Sequence, residues 1–420
     1  MQKMVIEGGY PLSGNISVSG AKNSVVALIP AALLANGVSV IENVPDIRDV
    51  YVMKDIAEEL GAVVDYKKNE NMLIINAAPA RKTKVSEEKA GRARASYYFL
   101  GALLGRFGKA TVPMPGGCNF GGRPIDLHIK GFETLGATVT EDEDVVVATT
   151  KDTLFGQEIY LDFPSVGATI NIMLAACRAE GRTFIRNAAC EPHIVDVANF
   201  LNAMGARITG AATGTIRIDG VDEMHGAVHS VIPDQIEAGT YMIAAAAVGK
   251  DVTVCNVIPR HMEFLTDKLI QMGVKVEEGG DSIRVSACEN PKAINFTTTP
   301  YPGFPTDLQP QMVTFLTVAK GESKVREGVW NNRFQYVDEL KLLGADIFAE
   351  GQNATVHGVP FLTGAQVRAT DLRAGAAMII AGLMAKGKTV ITELEHIDRG
   401  YEGIEEKLRA IGAHIQRIEE

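Results

Sequence analysis

The sequence predicts an α/β protein of two domains, each built from three copies of a unit of about 70 residues. Three features of the chain point there. A short signature, apolar residue then Gly then a small or apolar residue, closes an amphipathic pattern six times, at Gly61, Gly136, Gly205, Gly273, Gly344 and Gly412. Six stretches that are apolar nearly all round recur in step with it, and each is followed by a short β-rich run. A chain of 420 residues exceeds one ordinary core, and three units give a domain of common size.

The chain opens with strand material at Val5-Ile6 and Asn15-Ile16-Ser17-Val18, ahead of its first apolar helix. This N-terminal segment is expected to pair with the C-terminal domain. The first unit follows with an apolar helix over 24–35, a strand over 38–41, a polar loop, and a surface helix that stops at Gly61. An apolar helix has no face left for water and must be buried, whereas the surface helix needs one apolar stripe only. The glycine serves as the C-terminal cap before the next strand. Later units repeat the order, with apolar helices over 95–105, 168–179, 237–248, 309–319 and 374–385. Their following strands cover 110–113, 183–185, 252–254, 324–325 and 389–391. The domain crossings are expected near Lys22 and Val231, giving domain I as 1–22 plus 232–420 and domain II as 23–231.

Composition narrows the function classes. Hydrophobic residues at 46% and charged residues at 22% describe a globular chain. Cys118, Cys177, Cys190, Cys255 and Cys288 are scattered without CxxC spacing, which argues against a disulfide framework or a zinc site and suits a reducing cytoplasm. The N-terminus lacks the apolar core of a signal peptide, and the greasiest run, 374–385, is shorter than a membrane span. A net charge of −10 speaks against wrapping nucleic acid while leaving room for a small basic pocket.

Polar residues recur at two places in the unit. At the start of the apolar helices stand Lys22, Asn23, Arg94, Ser165, Thr169, Asp234, Asp307 and Arg373. In the loops after the second strands stand Asp46, Arg48, Cys118, Arg123, Glu191, Arg260, Arg333, His396 and Arg399. Helix N-termini offer unpaired N–H groups, so cations gathered there imply an anionic ligand. Cys118 lies in a glycine-rich loop five residues before Arg123, whose charge would favour the thiolate; the other reading is a buried inert cysteine in a tight turn. Asp307, Asp234 and Glu191 are acid or base candidates, and Asp307 could instead cap the helix from Gln309. His128 and His396 could be ligands or hydrogen-bond partners, but no HxH or HxxxH pair supports a metal. Neither a GxxxxGK[ST] loop nor a dinucleotide fingerprint appears.

Several of these residues sit in motifs that resemble a known family across the whole chain. The motifs are Gly20-Ala21-Lys22-Asn23-Ser24, Arg94-Ala95-Ser96, Gly116-Gly117-Cys118 with Arg123-Pro124-Ile125-Asp126-Leu127-His128, and Pro302-Gly303-Phe304-Pro305-Thr306-Asp307. Asn332-Arg333-Phe334, Asp371-Leu372-Arg373-Ala374-Gly375 and His396-Ile397-Asp398-Arg399-Gly400-Tyr401 complete the set. They resemble the UDP-N-acetylglucosamine 1-carboxyvinyltransferases, enolpyruvyl transferases of bacterial peptidoglycan synthesis. The resemblance implies two inside-out α/β barrel-like domains, each of three βαβαββ repeats around buried helices, with the active site in the interdomain cleft. It implies addition of the sugar 3-hydroxyl to C2 of phosphoenolpyruvate, then loss of phosphate, with no metal or organic cofactor. By the same resemblance Cys118 is the proton donor to C3 and can form an adduct with phosphoenolpyruvate, and Asp307 is the base on the hydroxyl. Lys22, Arg123 and Arg399 would hold the phosphate, Arg333 and Arg373 the carboxylate, with Asn23 beside them. Asn23, Arg94, Arg123, Pro124, Ile125, Asp126, Leu127, Ser165, Val166, Asp307 and Val329 would meet the nucleotide sugar. The one departure is the loop Cys118-Asn119-Phe120-Gly121-Gly122, where relatives often carry smaller or apolar residues at the second and third places and Ala at the fifth.

Three rivals share parts of this pattern. An enolpyruvylshikimate phosphate synthase is disfavoured by Cys118 and the Arg-Pro-Ile-Asp-Leu segment, and a silent UDP-sugar sensor by the intact set of Lys22, Cys118, Asp307, Arg333, Arg373 and Arg399. An RNA-terminal phosphate cyclase is disfavoured by the acidic balance. Neither nucleic acid nor membrane insertion is expected, and the sequence does not set the oligomeric state.

Overall fold

A helix that must run straight into a strand has to reverse its backbone through the left-handed region, and glycine does so without a Cβ clash. Gly61, Gly136, Gly205, Gly273, Gly344 and Gly412 all lie there, with φ between +91° and +105°. At each the N–H two residues past the helix returns to a carbonyl in the last turn: Ala62 to Ala57, Ala137 to Phe132, Ala206 to Leu201, Val274 to Leu269, Ala345 to Leu340 and Ala413 to Leu408, all at 3.0–3.2 Å. The six-fold signature in the sequence is therefore one Schellman cap used six times.

The computed structural model describes residues 2–114, 125–142 and 145–419. The chain divides into two compact units, Met1–Ser19 with Pro233–Glu420, and Gly20–Ile232. Each has its own hydrophobic core.

In the unit Gly20–Ile232 the buried helices are Lys22–Ala32, Tyr98–Phe107 and Val166–Ala176; the middle one packs on both others. The approach to Val166–Ala176 is so close that a Cβ on Gly101 would stand 2.3 Å from the carbonyl oxygen of Asn171. Around them lie three small sheets. One pairs Val228–Ser230, from the end of the unit, in parallel with Val38–Glu42, then continues antiparallel through Met72–Asn76 to Val63–Lys67. Another pairs Glu158–Tyr160 in parallel with Arg182–Arg186, followed by two antiparallel strands. The sheet of Lys109–Pro113 has three described strands, with a single parallel bridge from Lys84 to Thr111 where the others carry a fourth.

In the other unit the buried helices Gln235–Val248, Gln309–Leu316 and Leu372–Met384 pack on one another. The N-terminal segment serves two of its sheets: Gln2–Glu7 lies antiparallel between Lys388–Thr392 and His414–Glu419, and Leu12–Ser17 runs parallel to Gly249–Cys255. The third sheet begins with the parallel pair Phe296–Thr297 and Glu322–Arg326. Among the described residues all six sheets are open, and the fold class is α/β with small sheets around buried helices.

Four buried helices begin two residues before the apolar pattern, at Lys22, Val166, Gln235 and Leu372. The first-turn N–H groups have no helical acceptors behind them, and at Lys22, Gln235 and Arg373 this turn carries polar side chains that an apolar pattern leaves out. Among the described residues no helix is long and apolar enough to cross a membrane.

A Cβ on Gly344 would meet nothing within 4 Å, so Gly344→Ala isolates the backbone cost. The substitution should destabilise its unit by about 1–2 kcal/mol, lowering Tm by roughly 2–8 °C. Calorimetry finding an unchanged Tm would contradict a left-handed requirement at this cap.

Candidate active site

In the unit containing both chain termini, the sequence places three charged candidates where helices begin, and the fold brings them together. Asp371 caps the helix Leu372–Met384, its carboxylate accepting from the N–H groups of Arg373 (2.8 Å) and Ala374 (3.2 Å). Arg373 therefore stands inside the first turn, buried, and its Nη2 donates to Asp307 Oδ2 at 2.9 Å. Its guanidinium also lies 3.4 Å from the Tyr401 hydroxyl and 5.7 Å from the centre of that ring. Arg333, 2% exposed, faces Asp371 at 3.6 Å and Asp307 at 4.0 Å. Burial works against the charge of Arg373, but Asp307, Tyr401 and Asp234 more than offset it and hold its pKa above the ordinary arginine value. The result is two fixed guanidinium forks beside an aspartate that is 33% exposed. Such forks match the oxygens of a carboxylate or phosphate.

One sequence alternative fails and another residue gains a structural role. Asp307 does not cap the following helix: it sits in the 3-10 turn Thr306–Leu308, the cap position of Gln309–Leu316 is Leu308, and no side chain bonds there. Asp234, an acid or base candidate, is a helix cap; buried, it accepts from the N–H groups of Ile236 (2.7 Å) and Glu237 (3.1 Å). Tyr401 was not singled out, although it closes the motif that contains Arg399. Its ring is buried and its hydroxyl meets Thr240 Oγ1 at 2.9 Å. Arg399 lies half-buried in the turn just before it. Val329 is half-buried, and its N–H donates to Glu327 at 2.9 Å.

In the unit Gly20–Ile232, Lys22 opens the helix Lys22–Ala32, where a cation opposes the helix dipole. Buried Asp49 offsets this at 2.9 Å. Asn23 follows it, half-buried. Arg94 stands in the 3-10 turn Arg94–Tyr97 with its guanidinium 5.5 Å from the Tyr97 ring centre, and burial lowers its pKa against the pull of Tyr97 and Tyr98. Ser165 caps the helix Val166–Ala176 through its hydroxyl, which accepts from Ala168 N–H at 3.3 Å. Ile125 is buried just before the helix Asp126–Thr134, Asp126 is exposed, and Leu127 and Val166 are half-buried. Cys118, Arg123 and Pro124 lie outside the described residues.

His128 links these pieces. Asn171 accepts from Gly101 N–H with its oxygen (2.9 Å), so its amide nitrogen must donate to the Tyr97 carbonyl (2.9 Å) and to His128 Nδ1 (2.8 Å). The imidazole therefore carries its proton on Nε2. That nitrogen lies 3.0 Å from where a Cβ on Gly167 would be, so Gly167 lets the helix cap at Ser165 approach. Burial, and then the charge of Arg94, push the His128 pKa down to about 3. His128 is a neutral hydrogen-bond partner of Asn171, with the Tyr97 ring and Gly167 beside it and the charge of Arg94 acting on it. Among the described residues no group of three or more His, Cys, Asp or Glu could hold a metal ion.

The profile of the family EPSP synthase (3-phosphoshikimate 1-carboxyvinyltransferase) matches residues 6–408. The chain is 56% identical over 419 residues to UDP-N-acetylglucosamine 1-carboxyvinyltransferase of Clostridium botulinum, covering 100% of both chains. The chain belongs to the carboxyvinyltransferase family of these enzymes. A second relative, UDP-N-acetylglucosamine 1-carboxyvinyltransferase 2 of Clostridium acetobutylicum, is 54% identical with 99% of each chain covered. Among solved structures, the enolpyruvyl transferase NikO from Streptomyces tendae superposes with a TM-score of 0.90 at 28% identity over 99% of both chains. EPSP synthase from Acinetobacter baumannii gives 0.76 at 19% identity over 100% of both chains, a likeness of fold.

Because His128 is held neutral only in the folded state, acid should weaken the fold through it. Unfolded histidine takes a proton near pH 6.5 and the folded one near 3, so the parent should lose stability relative to His128→Gln between those values. The expected slope is roughly 1.4 kcal/mol per pH unit midway, read from urea unfolding. A difference that stays flat with pH would overturn the neutral assignment.

Proposed function

We propose that this carboxyvinyltransferase moves the enolpyruvyl group of phosphoenolpyruvate to the 3-hydroxyl of UDP-N-acetylglucosamine and releases phosphate. This is the first committed step of bacterial peptidoglycan synthesis, which would place the enzyme in the cytoplasm and tie it to cell shape and division. The observation that carries the proposal is identity of 54–56% along the full chain to proteins named for that reaction. The array around Arg333 and Arg373 supports it with fixed cations suited to an anionic substrate.

In this reading Asp307 takes the proton of the hydroxyl as its oxygen bonds to C2, and Cys118 delivers a proton to C3. The tetrahedral adduct then breaks its C2–O bond to phosphate and loses a proton from C3, restoring the double bond. Lys22, Arg123 and Arg399 hold the phosphate as it leaves, Arg333 and Arg373 the carboxylate, and Asn23 sits beside both reactants. Arg94, Ile125, Asp126, Leu127, Ser165, Val166 and Val329 belong to the nucleotide-sugar side, with Arg123 and Pro124. Arg373 holds the Asp307 carboxylate through one hydrogen bond and leaves it partly open to a hydroxyl, which is the geometry a base requires.

The test measures inorganic phosphate released from phosphoenolpyruvate with UDP-N-acetylglucosamine or, in parallel, shikimate 3-phosphate as acceptor. Release with the nucleotide sugar alone is expected. Release only with shikimate 3-phosphate would move the acceptor to that of EPSP synthase, and silence with both would favour a UDP-sugar-binding protein without turnover.

A further inference from the structure

Glu327 was not singled out by the sequence, yet its carboxylate is wholly buried. Burying a carboxylate is costly unless hydrogen bonds replace its water. Here three do: Oε1 accepts from the N–H groups of Val329 (2.9 Å) and Trp330 (3.2 Å), and Oε2 accepts from the Thr306 hydroxyl (3.1 Å). Thr306 directly precedes Asp307, and its carbonyl accepts from Arg333 Nη2 at 3.5 Å. The backbone here leaves little freedom. Gly328 N–H donates to Thr298 Oγ1 at 2.9 Å, and a Cβ on Gly328 would lie 2.3 Å from the Thr298 carbonyl oxygen. One carboxylate thus joins the turn that carries Asp307 to the turn that carries Val329.

We infer that Glu327 is a positioning residue, setting the base and the acceptor-binding turn in a single frame. The inference rests on the roles proposed above for Asp307 and Val329. It assigns the two arms of the carboxylate different duties. The Thr306 arm orients Asp307 and should act on kcat, while the arm to Val329 and Trp330 shapes the acceptor site and should act on the KM for UDP-N-acetylglucosamine. Misplacing a catalytic group by a fraction of its hydrogen-bond reach is enough to slow a reaction severely.

Three variants separate these duties. Thr306→Val keeps the shape and removes only the hydroxyl, so kcat should fall roughly five- to tenfold with the acceptor KM within twofold of the parent. Glu327→Ala loses both arms and should lower kcat at least as far while raising the acceptor KM about tenfold. Glu327→Gln can accept from both N–H groups and donate to Thr306 Oγ1, so it should restore both constants to within about threefold of the parent. The chain has one tryptophan, Trp330, so acrylamide quenching of its fluorescence reads the turn without any turnover. Quenching should rise at least twofold in Glu327→Ala and return in Glu327→Gln. If Glu327→Ala does not fold, Thr306→Val against Glu327→Gln still decides. An unchanged kcat in Thr306→Val, or quenching in Glu327→Ala equal to the parent, would overturn the inference. A parent that releases no phosphate with UDP-N-acetylglucosamine would instead overturn the proposed function, leaving the quenching result to judge the frame.

Discussion

A helix enclosed by protein on every side can carry polar groups only at its ends. Among the described residues three such helices lie in the core of each unit, and the placing of polar groups follows from that constraint. Each helix N-terminus leaves N–H groups to be satisfied. Three of the six use a side chain: Ser165, Asp234 and Asp371. The other three have no side-chain cap bond, and their starts carry Lys22, Arg94 and Asp307. Repetition supplied six similar ends, and the caps differ among them.

The buried charges show how this is balanced. Two guanidinium groups as deeply placed as Arg333 and Arg373 would be untenable alone. Asp371 faces Arg333 while also capping its helix, so its carboxylate serves the fold and the array together. Asp307 is the member of the array that reaches solvent. It is the counter-charge of Arg373, and the reaction proposed above makes it the base. In the other unit a neutral group stands beside the charge: His128, pinned by Asn171, packs near Gly167 without adding charge near Arg94.

The repeat was legible because the Schellman glycines and the apolar helices leave marks in every unit. Four of the six buried helices start two residues before the sequence pattern, and at Lys22 and Arg373 a polar side chain in the first turn breaks that pattern. Asp234 was legible as a polar helix start but not as a cap, because a capping aspartate and a catalytic one look alike without their partners. The partners of Asp307 lie 26 and 66 residues further on, at Arg333 and Arg373, and a distance in space of that kind is invisible in a single sequence. Glu327 and Tyr401 escaped for the same reason: their meaning lies in the groups folding brings to them.

In the proposed reaction Asp307 is the base, held in place by Arg373 at 2.9 Å. Asp307→Asn preserves its shape and removes that function. Turnover measured as phosphate release, on protein whose unfolding midpoint has been checked, should fall by at least about 100-fold while the fold persists. A folded variant that turns over within a few-fold of the parent would contradict the account.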